Sequence, residues 1–313
     1  MKDTYILTVT LNPAVDRTIL LPRLTIGTLN RALSERRDAG GKGINVSRVL
    51  SAFAVPTLAC GFAAGRNGDF LTEALCALSI PHDFLQVPGE TRENCKLSEA
   101  ETNTVTEIGG VGAPIPEASL SLFFEKFRQC LDGAEAVALC GSLPAGVPSD
   151  IYATLTAWAH DAQIPVLLDA DGEALQKGLS ACPDMIKPNR DELARLIGQP
   201  LSSEEEIVAA AEELCKSGIG TVVVSLGKDG SLFVTKEQKL RVSALPVSVG
   251  CATGAGDSMA AALLFSRKKG LSLIESARWA SAAGSMTAAK PGTQLCTYEE
   301  VCAAAPSVTV RVL

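Results

Sequence analysis

Short apolar, β-branched runs alternate with amphipathic helical stretches along most of this chain, and that alternation limits its fold more than any other feature. Strands are expected at residues 5–10, 57–62, 136–140, 166–169, 185–187 and 221–225. Between them, residues 45–53, 70–78, 149–162, 191–197, 204–216 and 257–268 carry helical periodicity, and residues 273–289 form a helix of small side chains. Strands separated by helices pair in parallel, so the expectation is an α/β fold with a mostly parallel sheet. Two segments depart from this pattern, roughly residues 16–38 and 91–107, where polar and apolar residues alternate as in strands exposed on one face. They are expected to form a small separate sheet. In open α/β folds ligands sit beyond the carboxyl ends of the strands, so a small sheet over that edge would act as a lid.

Composition removes several classes of function. The chain has 313 residues, 47% of them hydrophobic, and no Pro/Ser-rich linker, which fits one large domain. A net charge of −7 without a Lys/Arg block argues against nucleic acid or an anionic membrane as partner. Ten cysteines occur without a Cys-x-x-Cys pair, so they read as free, mostly buried thiols in a reducing compartment. No apolar run reaches the roughly 18–20 residues of a membrane span, and the expectation is a cytoplasmic, soluble protein. The two histidines, His82 in an expected loop and His160 at the expected exposed end of a helix, have no metal-ligand neighbours. Hydrolases, zinc proteases and dehydrogenases built around imidazole are therefore disfavoured.

The residues with chemical potential lie in six places. Gly254-Ala255-Gly256-Asp257 precedes a small, helix-forming run, so its glycines mark a helix start whose unpaired N–H groups suit an anion. Asp257 is then placed to take a proton from an attacking hydroxyl; a tight turn without a ligand is the plain alternative. Gly40-Gly41-Lys42-Gly43-Ile44-Asn45 is a second glycine-dense helix entry and is neither a P-loop nor a dinucleotide fingerprint. In Thr91-Arg92-Glu93-Asn94-Cys95-Lys96, strand alternation turns Arg92, Asn94 and Lys96 to one face, a phosphate clamp or a solvated strand face. Ser142 follows the strand at 136–140. Asn189 and Glu192, after Lys187, share the first turn of a helix and suit either Mg²⁺ through water or a capping box. Ser225-Leu226-Gly227-Lys228-Asp229-Gly230 leaves a buried strand as a hairpin or a nucleotide-contacting loop.

Together these six places, with Thr10-Leu11-Asn12-Pro13-Ala14-Val15-Asp16 near the start, resemble the PfkB, or ribokinase-like, carbohydrate kinase family along essentially the whole chain, and its phosphosugar branch most closely. That resemblance implies one ribokinase-like domain over residues 1–313, a doubly wound sheet flanked by helices, with lid strands from about residues 12–38 and 91–110. It implies ATP- and Mg²⁺-dependent phosphorylation of a ketohexose phosphate: fructose 1-phosphate first, with tagatose 6-phosphate or fructose 6-phosphate as alternatives. Asp257 is implied as catalytic base, with the backbone of Gly254, Ala255 and Gly256 as anion hole. Asp16, Gly41, Lys42 and Asn45 are implied to contact the sugar, and Arg92, Lys96 and Ser142 its phosphate. Lys187, Asn189, Ser225, Gly227 and Gly230 are implied around ATP, and Asn189 with Glu192 around Mg²⁺. A homodimer joined through lid strands is implied as well. The chain departs from the family at Cys251-Ala252-Thr253, at Gly109 and at Asp171. The rival of another class is a sugar-phosphate sensor without turnover, opposed by the intact Asp257, glycines and Asn189/Glu192.

Overall fold

The computed structural model describes residues 4–102 and 104–313. In chain order the elements are β1 (Tyr5–Thr10), β2 (Ala14–Leu21), β3 (Ser34–Gly40), α1 (Lys42–Ala52), β4 (Thr57–Ala64), α2 (Gly65–Ala77), β5 (His82–Val87), β6 (Arg92–Glu99), β7 (Val105–Ile108), α3 (Glu117–Leu131), β8 (Ala134–Cys140), α4 (Ile151–Asp161) and β9 (Val166–Asp169). There follow α5 (Gly172–Gly178), β10 (Met185–Ile186), α6 (Arg190–Ile197), α7 (Glu204–Lys216), β11 (Thr221–Ser225), β12 (Ser231–Val234), β13 (Lys239–Val242), α8 (Ala255–Lys268), α9 (Leu273–Ala288), α10 (Tyr298–Ala304) and β14 (Val310–Val312).

The large sheet has the order β14-β13-β12-β11-β10-β9-β8-β1-β4-β5. From β5 through β11 the neighbours run parallel, and β12, β13 and β14 extend that edge antiparallel. Alternation along each central strand supplies both faces with apolar side chains. Leu7 and Val9 of β1, with Val137 and Leu139 of β8, belong to one apolar core that also takes in Phe123 of α3, Leu155 of α4 and Ile207 of α7. Ile6, Ala136 and Ala138 point the other way, toward Val46 of α1 and the helices α8, α9 and α10. The helices thus lie on both faces of a doubly wound sheet.

The second sheet, β3-β2-β6-β7, contains both alternating segments. Its unusual feature is the parallel pairing of β2 with β6, which puts Asp16 opposite Asn94 and Ala14 opposite Arg92. Among the described residues, no helix is long and apolar enough to cross a membrane.

Several expectations needed adjustment. His82 is not in a loop: it opens β5, the edge strand, where it pairs with Ala59 of β4. His160 does lie at a helix end, in the last turn of α4, half-exposed, with Nε2 3.1 Å from a carboxylate oxygen of Asp184. Helix α2 starts five residues before the expected boundary because the Glu90 carboxylate accepts from the Asn67 N–H at 2.6 Å and stabilises a glycine-rich first turn. All ten cysteines are free, but only Cys60, Cys130, Cys140, Cys215 and Cys296 are buried. The expected predominance of burial is therefore too strong.

Candidate functional site

Helix α8 is buried from Asp257 to Ser266, between α1 and α9. Its small side chains permit that close packing. Gly254 precedes it in the left-handed region, with φ 83°, and turns the chain into the helix. Asp257 sits in the first turn, 7% exposed, and accepts from Nδ2 of Asn45 at 2.8 Å. Burial, reinforced by the neighbouring Asp169 carboxylate, pushes the Asp257 carboxyl up to about 6, against the opposing pull of Asn45, Lys42 and Lys187. A carboxyl in that range is half-ionised near pH 6 and mostly ionised at neutral pH, and it is a stronger base than an ordinary carboxylate. The N–H of Ala255 is engaged with Ala252 O at 3.2 Å, whereas Gly254 and Gly256 frame the turn without side chains.

Two lysines converge beside this turn. Lys42 Nζ lies 2.9 Å from one oxygen of Asp169, and Lys187 Nζ lies 3.3 Å from the other. A Cβ on Gly256 would stand 3.1 Å from Lys187 Nζ, so the ammonium rests against the start of α8. The burial of Lys42, which alone would lower its pKa, is outweighed by Asp169, Glu192 and Asp257, and the ammonium is held charged. Asp169 itself stays ionised although fully buried, because Lys187 and Lys42 offset its desolvation. The site therefore holds two fixed cations and two buried carboxylates, Asp169 between the lysines and Asp257 bound to Asn45, beside a helix N-terminus.

The second sheet presents a polar row toward the same region. Asp16 accepts from Asn94 Nδ2 at 2.9 Å and from Lys96 Nζ at 3.1 Å. Lys96 is thus buried as the partner of Asp16, and not as an open cation. Arg92 donates through Nη2 to Asn12 O at 3.0 Å, while its buried Nε has no partner. An unsatisfied guanidinium donor of this kind fits an anionic ligand. Asn12 Nδ2 reaches Ser142 Oγ at 3.2 Å, tying the row to the carboxyl edge of β8. Gly41, with φ 126°, precedes α1. Gly43 serves packing: a Cβ there would meet Thr10 Oγ1 at 2.5 Å and Val9 O at 2.9 Å.

On the other side of Lys187, Asn189 bridges Ser225, and both border a cavity of about 410 Å³ with Gly227, Asp229, Ser203 and Arg241. Gly230 stands aside from that cavity; it closes the β11–β12 turn, where a Cβ would fall 2.1 Å from Val242 O. Asn189 and Glu192 form a reciprocal capping box on α6, each side chain 2.8 Å from the other's backbone nitrogen. No group of three His, Cys, Asp or Glu side chains among the described residues is arranged to hold a metal ion. A cation at Asn189 and Glu192 would therefore be held through water and ligand oxygens.

Asp169 was not among the expected site residues. The available signal was its position at the carboxyl end of β9, the edge where α/β proteins place ligands. Arg48 was missed as well: it lies one helical turn beyond Asn45 and donates to Asn45 Oδ1 at 3.1 Å.

Residues 9–300 match the model of the pfkB family carbohydrate kinases. A 1-phosphofructokinase of Rhodobacter capsulatus is 35% identical over 309 residues, covering 98% of each chain. A 1-phosphofructokinase of Xanthomonas campestris is 40% identical over 261 residues, 82% of each chain. Among solved structures, phosphofructokinase-2 of Escherichia coli in complex with substrates and products is 30% identical, with a TM-score of 0.92 over 97% of this chain and 99% of that one. A buried carboxylate at a helix start, two lysines pinned by a buried aspartate and this similarity over nearly the full length lead to one conclusion: the chain belongs to the pfkB family of carbohydrate kinases and is a phosphotransferase with an alcohol acceptor.

Proposed function

We propose that the protein transfers the γ-phosphoryl group of ATP to the free primary hydroxyl of fructose 1-phosphate, giving fructose 1,6-bisphosphate. The observation that carries the chemistry is Asp257, dehydrated, bound to Asn45 and set in the first turn of α8 beside Lys187. The similarity to curated 1-phosphofructokinases supports the choice of sugar. In this reading Asp257 takes the proton of the attacking hydroxyl. Arg92, with its unpaired Nε, holds the phosphate the sugar already carries, and Asp16, Gly41 and Asn45 orient the sugar. Lys42 and Lys187 offset charge that builds during transfer, and the glycine backbone at Gly254 and Gly256 lets phosphoryl oxygens approach. ATP supplies the phosphoryl group, and Asn189 and Glu192 would hold Mg²⁺ through water, where it would offset the charge of the ATP phosphates. Ser225 and Gly227 border the nucleotide. Exposed apolar side chains on the second sheet and its loops, among them Ile26, Leu29, Ile108 and Val111, support a homodimer joined there. Light scattering at micromolar concentration tests that state.

The test of function is ADP release with Mg-ATP against fructose 1-phosphate, tagatose 6-phosphate, fructose 6-phosphate and fructose, compared as kcat/KM. The expected order puts fructose 1-phosphate first. Preference for tagatose 6-phosphate overturns the sugar assignment and leaves the mechanism. Phosphosugar binding without ADP release from any of them overturns the kinase reading in favour of a sensor.

A further inference from the structure

The amide of Asn45 touches the proposed base, and nothing in the Asn45–Asp257 pair alone decides which end of it does so. The two ends of an amide are nearly equal in size and opposite in function: Nδ2 donates, Oδ1 accepts. With Nδ2 toward Asp257 the amide favours the carboxylate; turned over, Oδ1 would repel the carboxylate and accept from the protonated acid. The structure resolves this choice through a third residue. Arg48 Nη1 donates to Asn45 Oδ1 at 3.1 Å, while Asn45 Nδ2 donates to Asp257 at 2.8 Å. Guanidinium has donors only, so the end of the amide facing Arg48 must be the oxygen. Arg48 lies on α1 at i+3 from Asn45, which brings the two side chains together on one face.

We propose that Arg48 is a positioning residue for phosphoryl transfer: by fixing the Asn45 amide in one orientation, it keeps a hydrogen-bond donor on the catalytic base and so favours the proton-accepting form. This rests on Asp257 acting as the base.

The surroundings of both groups fit that role. Asp257 is faced by Asn45 and Lys42 from α1, Asp169 from the end of β9 and Lys187 from the start of the loop after β10. The α9 residues against the start of α8, Gly284 and Thr287, carry no titratable side chain. Arg48 is faced by Asp38 and Arg36 from β3, Asp16 from β2 and Asp257 from α8. Its half-buried guanidinium is held by burial below its ordinary pKa, yet it stays charged across the working range.

The experiment separates the hydrogen bond from the charge. Arg48→Met removes both, and Arg48→Gln removes the charge but keeps an amide donor. The pH dependence of kcat/KM with fructose 1-phosphate is measured for each variant and for Asn45→Ala with and without Arg48→Met. The expected result is an acidic limb moved up by about one pH unit in Arg48→Met, the size expected from losing one hydrogen bond to a charged group. Arg48→Gln should leave the limb near its wild-type position, and Arg48→Met should add little once Asn45 is gone. Equal shifts in Met and Gln variants, or a full further shift in the Asn45→Ala background, would show a through-space charge effect and overturn the proposal. So would a loss of kcat at every pH with an unmoved limb, the mark of a merely structural role. If the wild-type protein turns over no phosphosugar, the kinase reading fails instead. The Asp257 titration is then followed in the unliganded protein by its pH-dependent thermal stability, and an unmoved midpoint in Arg48→Met overturns the orientation claim by itself.

Discussion

Asp257 carries opposite consequences for activity and for stability. If it acts as the proposed base it must be ionised, so kcat/KM for the phosphosugar should rise with pH through about 6, measured from initial rates. As a buried carboxyl it binds its proton more tightly folded than unfolded, where its pKa is about 3.9. Between roughly pH 4 and 6 the native state therefore holds the extra proton, and stability falls as pH rises through that window. Asp257→Asn removes this cost: the variant should gain about 2–3 kcal/mol over wild type at pH 8 and little at pH 4, read from denaturant midpoints. The same substitution should lower kcat by about 10²–10⁴. A stability difference that is the same at both pH values would show that Asp257 does not titrate as described. For Arg92, whose buried Nε has no partner and which is proposed to hold the sugar's phosphate, Arg92→Ala should weaken binding of phosphorylated sugars and leave an unphosphorylated analogue nearly unaffected, a contrast calorimetry can measure. Equal losses would refute a phosphate clamp. The turn that carries Asp257 and the strand that carries Arg92 were legible in the sequence because each is a local pattern, a glycine turn and an alternating strand.

At the scale of elements, α1 approaches β1 so closely that Gly43 has no room for a side chain. Gly43→Ala should cost about 1–3 kcal/mol as the helix is pushed from the strand, seen as a lower denaturant midpoint at unchanged slope. The second sheet reaches the body at Thr253, whose Oγ1 donates to Glu107 at 3.2 Å, and at Arg36, whose Nη2 donates to Thr293 at 2.8 Å. Thr253→Val should raise KM for the phosphosugar several-fold with a smaller change in kcat, because the contact helps hold the sheet over the site but touches no reacting atom. An unchanged KM would deny that sheet a lid role. The parallel strands and their helices could be recognised from periodicity, as could the capping box of α6. Helix α3 was passed over although Leu120, Phe123, Phe127 and Leu131 repeat at helical spacing. The edge strands β12 to β14 are three or four residues long, too short for a periodic signal, and β14 finds β13 from about 70 residues away in sequence.

Across the whole molecule the ten free thiols divide by burial, which gives a direct check of the packing. Exposed Cys76, Cys182 and Cys302 should react fast with a thiol reagent, Cys95 and Cys251 more slowly, and the five buried ones only on unfolding. Fast reaction of Cys140, enclosed between β1 and β9, would contradict the sheet order itself. What the sequence alone determined were features whose cause is local: the helix and strand periods, the glycine turns at 40–43 and 254–256, and the face shared by Arg92, Asn94 and Lys96. What only the tertiary structure decided were partnerships between distant residues. Lys96 proved to belong to Asp16, 80 positions away. Lys42 and Lys187 proved to share Asp169, and Asn45 to meet Asp257 across 212 positions with Arg48 behind it. Periodicity assigns a side chain to a face, but which charge it meets there depends on strand order and register, and these are set by the burial of the whole core at once.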